Sequence, residues 1–297
     1  MPGQGPRGPG TVHRRAACPV SLTVVCCPSA TLAVWSSAWL TQRAASDDVL
    51  DALLYWTQRH RVLAADDGAA ETFDLAVVPV ADPAADPAAG VAPAHLLAAL
   101  RRHGLTRAAL LLPEAGDVRG LGGPGPFSRA ALARGEAVVF DEIGIGLVPE
   151  QADDGSLRWT AYTAAGSGDS VTSGISEAER ELRDAVRSSA DELDALDVAR
   201  AHPGAHDSVR RRLVASPQPP WPDDMPAQAL RVLQRADEVD TILAAATDDE
   251  PGGAQSASAA RSRSEALRPL AAAVREARCA AVSEAVRLFA GYADRRR

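Results

Sequence analysis

The sequence contains no lysine, so every side chain that is cationic at neutral pH is an arginine, and its aromatic content is only 4%. Without lysine there is no Gly-x-x-x-x-Gly-Lys-Ser/Thr phosphate loop. Cysteine is equally sparse. Cys18, Cys26 and Cys27 fall at the start of the chain and Cys279 stands alone, with no Cys-x-x-Cys pair. Four cysteines in 297 residues do not make a disulfide scaffold, and a reducing cytoplasm fits that usage. No apolar run reaches the roughly 18 residues that a membrane-spanning helix needs. Basic charge is also in deficit. The net charge is −8, and residues 1–30 hold three arginines and no acid, so the rest of the chain is more acidic still. An acidic body disfavours nucleic acid, whose nonspecific binding depends on neutralising phosphates.

What is abundant is alanine, about a fifth of the residues, beside arginine, glycine and proline. That bias is the mark of GC-rich codons and carries no chemistry. The length is enough to bury a sizeable core, and two packed units are expected.

Residues 1–29 read as a Gly/Pro-rich unstructured extension. An export reading rests on Arg14-Arg15 followed by the apolar Ala16–Cys27, although Pro19 interrupts that run and no Ala-x-Ala site follows. Residues 30–165 read as an α/β domain. A helix capped by Ser29 carries Leu32, Trp35 and Trp39, and a second, after Ser46-Asp47-Asp48, runs to about Arg59. The three tryptophans 35, 39 and 56 are expected in the core. Strands are expected at 61–65 and 74–80, a loop over 81–93, and a helix from Pro93 to Gly104. A buried strand follows at 108–112, then a Gly-rich loop, a helix from Ser128 to Gly135, strands at 137–140 and 144–148, and a hairpin partner at 157–163 across the Asp153-Asp154-Gly155 turn. Residues 166–175 read as a linker and 176–297 as a helical domain. That domain opens on a Ser176–Glu179 capping box and continues with stripes through Leu182, Val232, Val274 and Phe289. The fold class is therefore α+β or α/β, a small partly parallel sheet with flanking helices and a meander, followed by an all-α region.

One loop is the leading site. Residues 114–126 leave the end of what reads as a parallel strand, where ligands gather in open α/β sheets, and they supply Glu114, Asp117 and Arg119. Arg119 is suited to a carboxylate or phosphate. Pro124 and Pro126 remove amide donors that an anion cradle would use, so a shaped structural turn is the competing reading. His202 and His206 have helical metal-ligand spacing, but Pro203-Gly204 breaks the helix, and no metal is expected. Gly168-Asp169-Ser170 lacks the glycines of a protease oxyanion hole, and no nucleophile emerges. No cofactor is implied.

The segments Ala30–Leu40, Asp47–Leu53, Leu111–Leu121, Gly135–Val139, Gly146–Pro149, Trp159–Tyr162 and Trp221–Pro226 together resemble a group of uncharacterised actinobacterial proteins. The resemblance covers most of residues 30–294 and implies a bacterial cytoplasmic setting, with no activity, cofactor or site residue attached. The expectation is a non-catalytic cytoplasmic binding protein, with a protein partner or second copy reached through the C-terminal helices. Its alternatives are a ligand-binding protein or enzyme using the Gly-rich loop, and an exported protein.

Overall fold

A computed structural model describes residues 27–77, 90–165, 173–195, 219–248 and 257–294. The extension up to residue 26, most of the 81–93 loop, the Gly168–Ser170 motif, and His202 and His206 lie outside the described residues.

Helix α1 (Pro28–Leu40) starts on a proline at its first position, where the missing N–H costs nothing. Ser29 is not its cap. The cap position is Cys27, and the Ser29 amide instead donates to the Glu136 carboxylate at 2.9 Å. Residues 28–39 are all buried, as a helix apolar all round must be. Helix α2 (Ser46–Leu54) keeps its first turn through the Asp48 carboxylate, which accepts from the Ala45 amide, but it ends before Trp56. Strand β1 (His60–Ala64) follows.

Residues Asp67–Phe73, ahead of the expected strand at 74–80, form helix α3. Within that expected strand residues 74–76 lie in no strand, Val77 bridges to Ala64 in the parallel sense, and residues 78–80 lie outside the described residues. Asp66 caps α3 by accepting from the Ala69 amide, Asp74 closes it in the left-handed region, and Ala69 and Phe73 bury one face.

Helix α4 (Pro93–Arg102), strand β2 (Ala109–Leu111), helix α5 (Pro126–Arg134), strand β3 (Ala137–Phe140), strand β4 (Ile145–Gln151) and strand β5 (Leu157–Thr163) complete the first half. The sheet order is β1-β5-β4-β3-β2, with β1–β5 the parallel pair and the other pairs antiparallel. β2 is thus an antiparallel end strand, and the Gly-rich loop does not leave a parallel strand as its sequence position implied. The β2-to-β3 link is long for a hairpin because α5 is inserted in it.

Helix α6 (Ile175–Ala195) begins one residue before the expected cap. The amides of Glu177 and Ala178 bond to the Gly174 carbonyl, which leaves Ser176 inside the first turn. Helix α7 (Ala227–Asp248) and helix α8 (Ala257–Asp294) follow, and α8 is continuous through Pro269. No helix among the described residues is long and apolar enough to cross a membrane.

Each face of the sheet meets helices. One carries α5, with Phe127 packed on Gly146 and 6.3 Å from the Tyr162 ring, while Ala69 and Phe73 of α3 join the apolar cluster of α1 and α4. The other meets α1, itself covered by α2, α4 and α8. A single apolar cluster joins Leu32, Val138 and Trp159 of the first half to Leu182, Val232 and Val286 of the second. The alanine face of α8, with Ala277, Ala281 and Ala285 fully buried, permits that close approach.

Candidate functional site

The Gly-rich loop folds back on itself at once. Glu114 and Asp117 exchange amide-to-carbonyl bonds of 3.0 and 2.8 Å around a two-residue turn, where Gly116 has φ +95°. Gly122, at φ +69°, passes so close to the Ala165 carbonyl that no side chain fits. The glycines are therefore explained by backbone shape.

The three sequence-selected residues are brought together. Arg119 forms a two-pronged contact with Asp117, Nε to Oδ1 at 2.8 Å and Nη2 to Oδ2 at 2.9 Å, and reaches Glu276 of α8 at 3.0 Å. Arg275, the preceding residue of α8, pairs with Glu114 and lies 4.0 Å from Asp117. Glu276 also accepts from the Ser173 amide at 3.0 Å. The Arg119 hydrogen bonds hold the Asp117 carboxyl below its usual range, and Asp117 in turn raises the guanidinium. Arg119 keeps 65% of its side chain exposed, while Glu276 keeps 13%. The arrangement is an ion-pair clasp between the loop and α8. Arg275 and Glu276 carried no signal in the sequence, being one Arg-Glu pair in a long alanine-rich helix.

Behind the clasp lies a second charge group. Arg278 donates to Asp237 Oδ1 at 2.8 and 3.0 Å and to Asp240 at 3.0 Å, with Asp237 only 2% exposed. Desolvation pushes the Asp237 carboxyl up to about 7, against the pull of Arg278. Desolvation likewise raises Glu136, whose carboxylate sits at the N-terminus of α1. His60 is buried, bonded through Nε2 to the Leu53 and Thr57 carbonyls at 2.9 and 3.0 Å. Its Nδ1 accepts from Trp159 at 3.2 Å. That pattern fixes one neutral tautomer, and burial lowers its pKa. His95 and His103 bond to the Phe73 and Thr72 carbonyls. Of the tryptophans expected in the core, Trp35 and Trp39 are buried, while Trp56 is half-buried against it; Trp35 donates to the Pro220 carbonyl and Trp56 to Thr31. Among the described residues no group of three or more His, Cys, Asp or Glu could hold a metal ion.

The concave feature lies elsewhere on β2. A cleft of about 530 Å³ opens between its N-terminal side and α8. Ala108, Leu110, Val139 and Val286 supply apolar lining, and Arg107, Arg287, Asp141 and Glu142 supply charge. Cys279 sits at its wall, where burial pushes the thiol up to about 12. No local pattern marks this site, since its walls, residues 107–110 and 279–287, lie far apart in the chain.

A mixed five-stranded sheet with a helical second half, clasped by α8, is the architecture on which two family models fall. One, the N-terminal domain of Rv1486c-like protein, matches residues 29–172, and the other, its C-terminal domain, matches 176–279. The chain belongs to the Rv1486c-like family. Uncharacterized protein Rv1486c of Mycobacterium tuberculosis is 38% identical over 287 residues, and protein ML1804 of Mycobacterium leprae is 36% identical over 295. A further relative from Mycobacterium avium is 32% identical over 295 residues, and each alignment spans 86% of this chain and 96% of the relative. The actinobacterial resemblance read from the sequence is thereby shown. No solved structure matches.

Proposed function

We propose that this Rv1486c-like chain is a non-catalytic cytoplasmic binding protein whose ligand occupies the cleft between β2 and α8. The cleft carries the reading. Its volume of about 530 Å³ lies within the span of small-ligand sites, and it joins an apolar lining to a few charged groups, as such sites do. The non-catalytic part rests on its chemistry. The Cys279 thiol stays protonated at neutral pH, and no histidine lines the cleft to activate Ser283.

Native mass spectrometry of the chain purified from its host tests this reading. A noncovalent ligand is expected on the wild type and lost from Ser283→Trp, whose ring fills the cleft from an exposed helix position. Equal retention by both would remove the cleft as the site. Cell fractionation with mass determination of the N-terminus tests the compartment: a chain clipped after residues 14–27 and found outside the cell would reverse it.

A second reading keeps the ligand at Glu114, Asp117 and Arg119. The exposed guanidinium of Arg119 favours it, because a carboxylate or phosphate can compete with Glu276 for that group. Titration with inorganic phosphate, read on the Arg119 side-chain resonance, should then shift it in the wild type. An unmoved resonance at high phosphate removes this reading.

A further inference from the structure

The form of the cleft narrows its occupant. One wall is a continuous piece of main chain, residues 107–110, leading into the end strand of the sheet. The other is one face of α8, Cys279, Ser283, Val286 and Arg287, spaced i, i+4, i+7 and i+8. Those α8 positions span about 12 Å at 1.5 Å per residue. The β2 wall spans about 10 Å at strand rise. Two walls of matched length, one a strand edge and one a helix, make a groove for three or four extended residues.

The edge itself is open in that direction. The Leu112 amide, just past β2, faces the Cys279 thiol on α8, so that amide points away from β3. Amides two residues apart on a strand share an edge, which puts the N–H and C=O of Leu110 on the cleft side as well. Strand edges that present such groups pair with incoming chains unless something covers them. α8 covers the edge at Leu112 and leaves it at Leu110.

Charge sets the orientation. Cys279 marks the inner end, beside Leu112. Arg287, two helical turns on, therefore lies toward the Arg107 end, where Asp141 and Glu142 also stand because Ala109 pairs with Val139. The groove is apolar inside and carries two charges of each sign at its mouth. Arg287 is engaged by Glu284 at 2.9 and 2.6 Å and Asp141 has a partner of its own, which leaves Arg107 and Glu142 as the complementary pair facing an entering chain.

Resting on the cleft reading above, we propose that the ligand is a short extended peptide that adds to the edge of β2 as an antiparallel strand. Its apolar residues lie against Leu110 and Val286, and one acidic and one basic residue at its C-terminal end meet Arg107 and Glu142. Antiparallel addition is the stronger ladder and places the peptide's C-terminal end at the mouth.

The probe is the capped pentapeptide Ac-Val-Val-Val-Glu-Arg-NH2, added to the full chain at about 1 mM, the weak end of measurable affinity. Amide resonances of Ala109, Leu110 and Ser283 should shift, and exchange of the Leu110 amide should slow. Two further copies of the peptide, N-methylated on alternate residues in opposite phase, separate pairing from simple filling. One phase should bind about tenfold weaker or worse, as loss of one or two hydrogen bonds requires, and the other as the parent. Equal binding by both phases would overturn strand addition while leaving the cleft as a ligand site. No shift with the parent peptide would overturn the peptide, and a ligand still carried by the native chain would keep the cleft reading alone. Unchanged binding by Ser283→Trp would overturn the location.

Discussion

Two buried side chains carry the strongest single-residue consequences. Burial holds the His60 pKa below the usual 6.5, against the upward pull of its two carbonyl acceptors, while its Nδ1 accepts from Trp159. A histidine with a depressed folded pKa stabilises fully above its unfolded value, and that stabilisation is lost as pH falls below about 6.5. Denaturant melts of the wild type should therefore weaken from pH 7 to 5, and His60→Gln should show a flatter profile over the same window. Identical slopes would mean that His60 is not the titrating group. Arg278 is the other case. It is 12% exposed and is the cation between Asp237 and Asp240, so Arg278→Met leaves a carboxylate at Asp237 without its buried partner. Breaking such a pair costs about 3–5 kcal/mol, and the loss should appear as a lowered denaturant midpoint with unchanged slope. Desolvation raises the Asp237 carboxyl, so in that variant stability should recover as pH falls and the acid protonates.

At the level of elements, α3 and the β4–α5 contact are the places where one residue fixes a whole piece. Asp66 accepts from the Ala69 amide at 2.9 Å, and from the Thr163 amide and hydroxyl at 2.8 and 2.6 Å, so one carboxylate caps α3 and ties it to β5. Asp66→Ala should cost about 1–2 kcal/mol for the cap alone. Amide exchange should then quicken in α3 before it does in β5. Gly146 of β4 lies under the Phe127 ring, with no room for a Cβ. Gly146→Ala should cost about 1–3 kcal/mol by overpacking, and trimming the ring in a Phe127→Leu background should recover part of it. The strand position of Gly146 was legible in the sequence, but its reason was not, because the ring arrives from a helix nearly twenty residues earlier.

Across the whole molecule, two family models meet on one core. α1 belongs to the first half in sequence, yet it packs between the sheet and α8. The first half alone would expose the α1 and β2 surfaces that α8 covers, at about 25 cal/mol per Å² of apolar area. A chain ending at residue 165 is therefore expected to be aggregation-prone or to bind a hydrophobic dye, and co-expressed residues 173–297 should rescue it. A clean, cooperative melt of the first half by itself would contradict the shared core. The Arg119–Glu276 clasp contributes less. Arg119 is largely exposed, and such pairs are worth about 0–1 kcal/mol, so Glu276→Leu should leave the melt nearly unchanged while quickening exchange at Ser173, whose amide loses its acceptor.

What neighbours along the chain can decide is legible in the linear pattern. Pro93 and the glycine after Arg102 bound α4, Asp153-Asp154-Gly155 turns β4 into β5, and the stripes of α7 and α8 mark their buried faces, because turn geometry and helical period are local. It also gathered Glu114, Asp117 and Arg119 into one loop. The direction in which β2 pairs was settled by packing, since a three-residue apolar run has no direction of its own. Packing brought Arg275 and Glu276 from α8 to the loop, across more than 150 residues. It also set α8 beside the edge of β2 to make a cleft. Those outcomes depend on which faces find each other once α1 is buried, and a linear pattern holds no record of that choice.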